Sequence, residues 1–522
     1  MEAHGLEPFF PHEVEEQLSR INEPAKPNSK TVDQTHLLWC SIDNDDSLDL
    51  DQLTYAELGK DGGTTLYVAI ADVDALVFLK TAIDAHASLN TTSVYTPARI
   101  FPMLPVKLST NLTSLNEGVE RVAIVVSVNV SADGDILNGD ICQAVVKNVA
   151  KLTYNGVGGW LEGGPIPEKV KAVAGLEENL ILQNQIAQKI RNKRHALGAL
   201  TLDPVDIEAK VVYHPLVVNS HSDSAKAPGL NDRKSVHISN IDRLAIVQPR
   251  ELSRGQNGDF QLEAGINQTE VLLEQPTQNL AQFLIENFMI AANHIIATKL
   301  LAAKIPSLRR VVKVPKNWPR IVEVAALLGE KLPEEPNAIA LENFLVRRKK
   351  AAPEQFQDLS LTVVKLLGRG EYVVEAAGDK PIGHFGLALK EYIHSTAPNR
   401  RYPDLISQRQ YKALIFGKQN PYTFEEITKL AEHCTAQEDA VNKVERQLTK
   451  SAGALLLSSQ IGRMFNGIIT GVNEHGIWAR VIDPPVEGKI MNGATKLAVG
   501  DKTLLELVSV DVERGFINFN AL

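Results

Sequence analysis

Cysteine is scarce in this chain: Cys40, Cys142 and Cys434 are the three thiols in 522 residues. A small, odd and widely spaced set argues against both a disulfide framework and a zinc ribbon. Long apolar runs are missing as well. No stretch approaches the roughly 18 consecutive apolar residues of a membrane span, and no basic-then-apolar leader opens the chain. With 44% hydrophobic residues the composition is that of an ordinary soluble protein, so a cytoplasmic protein without membrane contact is expected. No internal repeat is evident, and a chain of this length is too long for one compact core, which predicts about two or three domains.

An excess of positive charge is also lacking. The 54 Lys and Arg are outnumbered by 63 Asp and Glu, a net charge of -9 that is awkward for a nucleic-acid binder, whose affinity usually comes from phosphate contacts. Net charge is not the local field, however. Basic residues gather at Lys189–Arg194, Arg309–Arg310, Arg347–Lys350 and Arg400–Arg401. A positive channel in an acidic shell and a set of solvated helix faces both fit that pattern.

What the chain does have is an acidic segment directly after an apolar run, Leu37-Leu38-Trp39-Cys40. Asp43, Asp45, Asp46, Asp49 and Asp51 place five carboxylates in nine positions. So dense a set either splays into water as a solvated turn or is held by a divalent cation. Leu48 and Leu50 interleave with Asp49 and Asp51, so strand-like alternation would turn both carboxylates to one face and both leucines to the other. Carboxylates with no Cys or His beside them suit magnesium or manganese rather than zinc or copper. Counting from Asp43, the glycine and glutamate of an EF-hand loop are replaced by Leu48 and Thr54, so a calcium loop is excluded.

Further along, Pro398 breaks any preceding helix, and Pro403 with Asp404 fits the first turn of a new one through Leu405 to Ile415. Arg400 and Arg401 therefore stand just ahead of a helix N-terminus. There they form either an anion site or an ion pair with Asp404. Around Glu286, the residues Leu284, Phe288, Ala291 or Ala292 and Ile295 mark an apolar helical stripe, with Glu286 and Asn293 together on another face. Strand-like runs such as Thr65–Val73 and Arg121–Val130 precede these helices, and that order predicts a mixed α/β fold, a mixed sheet packed by helices. Glu13–Ile21 reads as a short helix in an N-terminal arm of residues 1–36. Residues 205–259 are rich in Ser, Asn and Asp and read as an insertion. From about Gly462, five short strands, Phe465–Val472, Gly476–Ile482, Gly488–Met491, Thr503–Val510 and Phe516–Phe519, predict a small closed all-β barrel. Phe465, His475 and Trp478 are barrel aromatics that serve either as core or as candidates for a binding surface.

Several of these segments resemble, in order, the ribonuclease II/R (RNB) exoribonucleases. The acidic signature Ile42-Asp43 with Asp49 and Asp51 is followed by Tyr67-Val-Ala-Ile-Ala-Asp-Val73, then by Thr92-Ser-Val-Tyr-Thr-Pro97, Pro102-Met-Leu-Pro105 and Ser114-Leu-Asn116. Ile285-Glu-Asn-Phe-Met-Ile-Ala-Ala-Asn293 looks like a central helix of that fold. His384-Phe-Gly-Leu387 leads into His394-Ser-Thr-Ala-Pro-Asn-Arg-Arg-Tyr-Pro-Asp-Leu405. The C-terminal run is similar to the S-one type OB fold. The resemblance implies a catalytic domain over 37–455 and an OB-fold RNA-binding barrel over 460–522. It leaves no room for the N-terminal cold-shock domains of larger members.

The resemblance also implies an activity: 3'-to-5' exoribonuclease action on single-stranded RNA, releasing nucleoside 5'-monophosphates with a divalent metal. Asp43, Asp49 and Asp51, with Gln52, would hold magnesium, or manganese in its place. Arg400 would stabilise the scissile phosphate's developing charge. Tyr95 would stack on the 3' end, and Tyr154, Glu286, Arg401 and Trp478 would contact substrate. His384 and His394 read as structural, since a metal-activated water needs no imidazole. Three departures are visible. Gln52 stands where relatives carry a second adjacent aspartate, Ala75 where many carry histidine, and Asn399 where isoleucine is usual. They keep a rival of another class in play, a catalytically impaired RNA-binding scaffold of the same fold. Protein partners are not legible.

Overall fold

The structure is a computed structural model that describes all residues except 60–61, 204–207, 215–236, 239–267, 275–277, 474–475, 494–496 and 498. It divides into two compact units. The first comprises residues 1–94, 101–204 and 277–441, and the second comprises 95–100, 205–276 and 442–522.

The first unit is built on a mixed sheet of seven strands: β1 (Val32–Asp33), β2 (Cys40–Asp43), β3 (Gln52–Leu58), β4 (Thr64–Ala71), β5 (Glu120–Val130), β6 (Ile136–Lys147) and β7 (Ala150–Thr153). Their order across the sheet is β1-β6-β5-β4-β3-β2-β7. The central pairs are antiparallel, while the outermost strands β1 and β7 run parallel to β6 and β2. The Val- and Ile-rich runs of β4 and β5 are buried on both faces, which is why they read as continuous apolar segments rather than as alternation. Ile42, Ala56, Val68 and Val126 face one core, Leu53, Ala69 and Val125 the other.

Helices cover both faces. The first short helix, α1 (His12–Ser19), lies close to the expected span, and its Val14 is fully buried in the second core. Helices α2 (Tyr154–Leu161), α3 (Leu176–Ala196) and α4 (Leu280–Ala302) pack on the first core. Helix α4 is buried nearly all round rather than along one stripe. It is long and apolar enough to cross a membrane, yet 67% of its most apolar window is buried inside the protein, so its apolarity serves the core. Burying each Phe or Ile side chain there is worth roughly 1.5–3 kcal/mol.

Helix α5 (Tyr402–Ile415) begins as Pro403 and Asp404 predict, with the proline in its first turn. Its polar side chains are buried too. Lys412 Nζ sits 2.6 Å from Asp72 and 2.9 Å from Asp74, and Arg409 reaches Asp74 at 3.1 Å and Asp84 at 2.8 Å. These pairs pin the helix to the segment that follows β4. They thereby fix the two arginines at its start. Cys40, Cys142 and Cys434 are free thiols.

In the second unit, strands β8 (Met464–Asn473), β9 (Gly476–Val481), β10 (Glu487–Asn492), β11 (Lys502–Asp511) and β12 (Phe516–Ala521) close a barrel in the order β8-β9-β10-β12-β11. Each strand matches its sequence expectation to within two residues or so, because glycine, asparagine and proline turns punctuate the run. Phe465 is a correction. It is 6% exposed and packs inside the barrel with Ile469, Leu505 and Phe519, so it presents no RNA-facing ring. His475 lies outside the described residues, as does most of the expected insertion 205–259. Of that segment, Glu208–His214 and His237–Ile238 pair antiparallel with Gln268–Glu274.

Candidate active site

Strand β2 delivers Asp43 at its end, and the chain then turns through 44–47 before entering β3 at Gln52. The turn is held locally. Asn44 N–H donates to Asp43 Oδ1 at 2.8 Å, and Ser47 Oγ donates to Asp49 Oδ1 at 3.5 Å. The segment before β3 is loop rather than strand, so the expected alternation fails in part: Leu50 is 1% exposed but Leu48 is 62% exposed. Asp51 is buried beneath this loop. Its Oδ1 accepts the backbone N–H of Asn399 at 3.0 Å. Its Oδ2 is buried without a hydrogen bond and faces Arg400 Nε at 3.6 Å. Gln52, the next residue, opens β3 opposite Ile70 and points to the other face of the sheet from Asp51 and Leu53.

Burial dominates the electrostatics of the carboxylates. It pushes the Asp51 carboxyl up to about 8, with Arg400 pulling it back and Asp49 adding to the rise. Burial raises Asp43 and Asp49 above the ordinary carboxylate range too, again with Arg400 opposing. Among the described residues no group of three or more His, Cys, Asp or Glu side chains is gathered to hold a metal ion. The chemistry of the side chains nonetheless suits a hard cation, since they are carboxylates and Asp51 Oδ2 is a buried acceptor with no donor.

The two arginines divide the roles left open by the sequence. Arg401 takes the ion pair, donating from Nη2 to Asp404 Oδ1 at 2.8 Å, and that oxygen also accepts the N–H of Ala397. Arg400 keeps a side chain that is 43% exposed and turned to Asp51. Its carbonyl accepts Ser93 N–H and Thr92 Oγ1, both at 3.0 Å, which fixes the backbone beneath the guanidinium. Both arginines line a cavity of about 360 Å³ together with Glu286, Asn293, Tyr392 and Thr396. Glu286 and Asn293 thus share a face as their spacing predicts, and Asn293 is buried and accepts Ser395 Oγ at 2.6 Å. Most other basic clusters are already paired. Arg194 donates to Asn287, Arg310 pairs with Glu438 and Arg347 with Glu330.

Tyr154 opens α2, where Thr153 caps the helix and accepts Gly156 N–H at 3.1 Å. Burial drives the Tyr154 hydroxyl well above its ordinary range, with Asp43 adding and Arg400 opposing, so it lies in the field of both. Tyr95 and Trp478 belong to the second unit. There Tyr95 is 42% exposed and its N–H donates to Glu445 Oε1 at 2.9 Å, while Trp478 is half-buried with Lys489 Nζ 5.9 Å from its ring. His384 is pushed down to about 4 and His394 well below its ordinary value, both by burial, and His394 Nδ1 meets Tyr372 OH at 2.9 Å. Neutral, packed imidazoles fit a structural role. Asn399 as a partner of Asp51 leaves no mark in the sequence, because the contact comes from its backbone N–H.

A mixed sheet carrying a carboxylate loop with Arg400 against Asp51, and a five-stranded barrel in the second unit, are features that known proteins share. The RNB domain matches residues 31–417, and the RNase II-type exonuclease C-terminal S1 domain matches 463–522. The chain belongs to the RNB family. It is 29% identical to Ribonuclease R of Escherichia coli over 511 residues, covering 94% of this chain and 55% of that protein. The chain thus spans about half the length of the curated relatives it matches. The fold is that of Mycoplasma genitalium RNase R in its apo form, with a TM-score of 0.79 and 22% identity over 100% of this chain and 77% of that one. The same Mycoplasma enzyme has been solved with double-stranded RNA. Yeast Ssd1, a pseudonuclease, is more distant, with a TM-score of 0.62 and 15% identity over 93% of this chain and 53% of that one.

Proposed function

We propose that this protein is a 3'-to-5' exoribonuclease that hydrolyses single-stranded RNA to nucleoside 5'-monophosphates. The observation that carries the reading is the placement of a half-exposed Arg400 against the buried Asp51, at the rim of a cavity shared with Glu286. A nuclease needs a cationic donor poised over the phosphate beside a cluster of hard oxygen ligands. Relatives named Ribonuclease R support the substrate class.

Asp43, Asp49 and Asp51 would hold magnesium, or manganese in its place, whereas Gln52, on the other face of the sheet, lies outside that set. When bound, such an ion activates water and neutralises phosphate charge. The chain's own residues supply the rest. Arg400 turns its guanidinium from Asp51 to the phosphate and stabilises the charge that develops there. Glu286 and Arg401 line the cavity for the terminal nucleotide, with Glu286 a candidate acceptor for a ribose hydroxyl. Tyr154 borders the carboxylates, Tyr95 stacks on the terminal base, and Trp478 offers a stacking face on the barrel. The three reduced thiols suit a cytoplasmic enzyme.

A scaffold without turnover is favoured by one observation, the uncharged Gln52 directly after Asp51. Product analysis separates the two. Incubation with uniformly labelled RNA and manganese should release nucleoside 5'-monophosphates on a thin-layer plate; bound, intact RNA in every divalent metal would favour the scaffold.

A further inference from the structure

Three consecutive residues, Thr113, Ser114 and Leu115, touch both halves of the site while contributing no side chain to its chemistry. Ser114 Oγ accepts Leu50 N–H at 2.9 Å and donates to Leu48 O at 3.1 Å. Leu115 N–H donates to Leu50 O at 3.0 Å. These bonds grip the acidic segment on either side of Asp49 and directly before Asp51. Thr113 Oγ1 lies 2.6 Å from Asn399 Oδ1 and donates to that amide oxygen, and it is also 2.8 Å from Leu108 O. Asn399 in turn gives its backbone N–H to Asp51 Oδ1, one residue before Arg400.

Every member of this set is closed off from solvent: Thr113 is 4% exposed, Ser114 0% and Asn399 1%. Residues 397–402 are tied besides to Asp404, to Thr91–Ser93 and, through the Tyr402 hydroxyl, to Asp84 and Arg409, none of which lies in the carboxylate loop. Besides the Arg400–Asp51 pair itself, two links register the arginine loop against the aspartates: the Asn399 N–H bonded to Asp51 and the Thr113 hydroxyl bonded to the Asn399 side chain.

We propose that Thr113 is a positioning residue. Acting through Asn399, it sets the separation of Arg400 and Asp51, while its neighbours Ser114 and Leu115 hold the loop that bears the aspartate. The inference rests on the exoribonuclease reading, because what it predicts is a defect in the chemical step. Displacement of a reacting group by about 1 Å costs on the order of a hundredfold without loosening the ground-state complex.

The test measures kcat and KM on single-stranded RNA, and manganese affinity by calorimetry, for the wild type, Thr113→Val, Thr113→Ser and Asn399→Leu. The leucine keeps the backbone N–H to Asp51 and removes only the side-chain link. Thr113→Val and Asn399→Leu are expected to lower kcat at least about tenfold with KM within about threefold. Thr113→Ser, which keeps the hydroxyl, is expected to stay near wild type. A folded Thr113→Val or Asn399→Leu with wild-type kcat overturns the proposal, as does a loss that appears equally in Thr113→Ser. If Thr113→Val does not fold, Asn399→Leu decides alone. If the wild type cleaves nothing, the exoribonuclease reading fails, and manganese affinity decides the brace: about fivefold weaker binding in both variants upholds it, unchanged binding overturns it.

Discussion

Nε of Arg400 stands 3.6 Å from Oδ2 of Asp51, an oxygen that is buried and accepts no hydrogen bond. The guanidinium occupies the place where a cation is electrostatically required, and it is exposed enough to turn toward a phosphate. Replacing Arg400 with Ala should lower kcat by about 10²–10³ while RNA affinity changes far less, because the donor is used mainly where charge develops. Single-turnover kinetics at saturating RNA measure the first, filter binding the second. An equal loss in both would make Arg400 a plain binding contact.

The raised carboxyl of Asp51 gives a stability signature in metal-free protein. Its folded value of about 8 exceeds the unfolded value of about 3.9, so between these limits the folded chain holds the extra proton. The stabilising contribution is complete below the unfolded value and is lost as pH rises through about 8, by at most on the order of 1.4 kcal/mol per pH unit. In chelator, melting temperature should therefore fall between about pH 5 and pH 8 more steeply in the wild type than in Asp51→Asn. Parallel slopes would place the titration elsewhere.

Trp478 belongs to β9 of the barrel, in the second unit, whereas the carboxylates belong to the first. Trp478→Ala should cost about 1–3 kcal/mol of single-stranded RNA affinity, the scale of one stacked base, with kcat at saturating RNA unchanged. Fluorescence anisotropy with a labelled oligonucleotide reads the loss. Undiminished affinity would assign the ring to barrel packing.

Gly158 in α2 is in close contact with Asn279, the residue that caps α4 through a reciprocal pair with Gln282. A Cβ at 158 would overlap the Asn279 amide and disturb that cap. Gly158→Ala should destabilise the fold by about 1–2 kcal/mol, measured by urea denaturation.

Much of this arrangement was legible in the sequence, for identifiable reasons. The barrel strands stood out because glycine, asparagine and proline turns separate five short strand-like runs, and α5 because Pro403 and Asp404 mark its first turn. Asp43, Asp49 and Asp51 were visible through their density, and Arg400 through its place ahead of a helix. What escaped was set by tertiary contacts. The N–H of Asn399 meets Asp51 across 348 residues, and a backbone donor carries no residue identity. Leu48 faces solvent because the chain between β2 and β3 turns instead of continuing as a strand. Phe465 is inside the barrel because its side of β8 is the inner one, which alternation alone does not reveal.

The most direct test follows a 5'-labelled single-stranded RNA on a sequencing gel, with wild type and Asp51→Asn each in magnesium, manganese and chelator. Exoribonuclease action predicts a ladder that shortens from the 3' end to a short limit product in wild type with metal, and intact RNA in chelator and in the variant. Intact RNA in every wild-type lane, with binding retained, would contradict it.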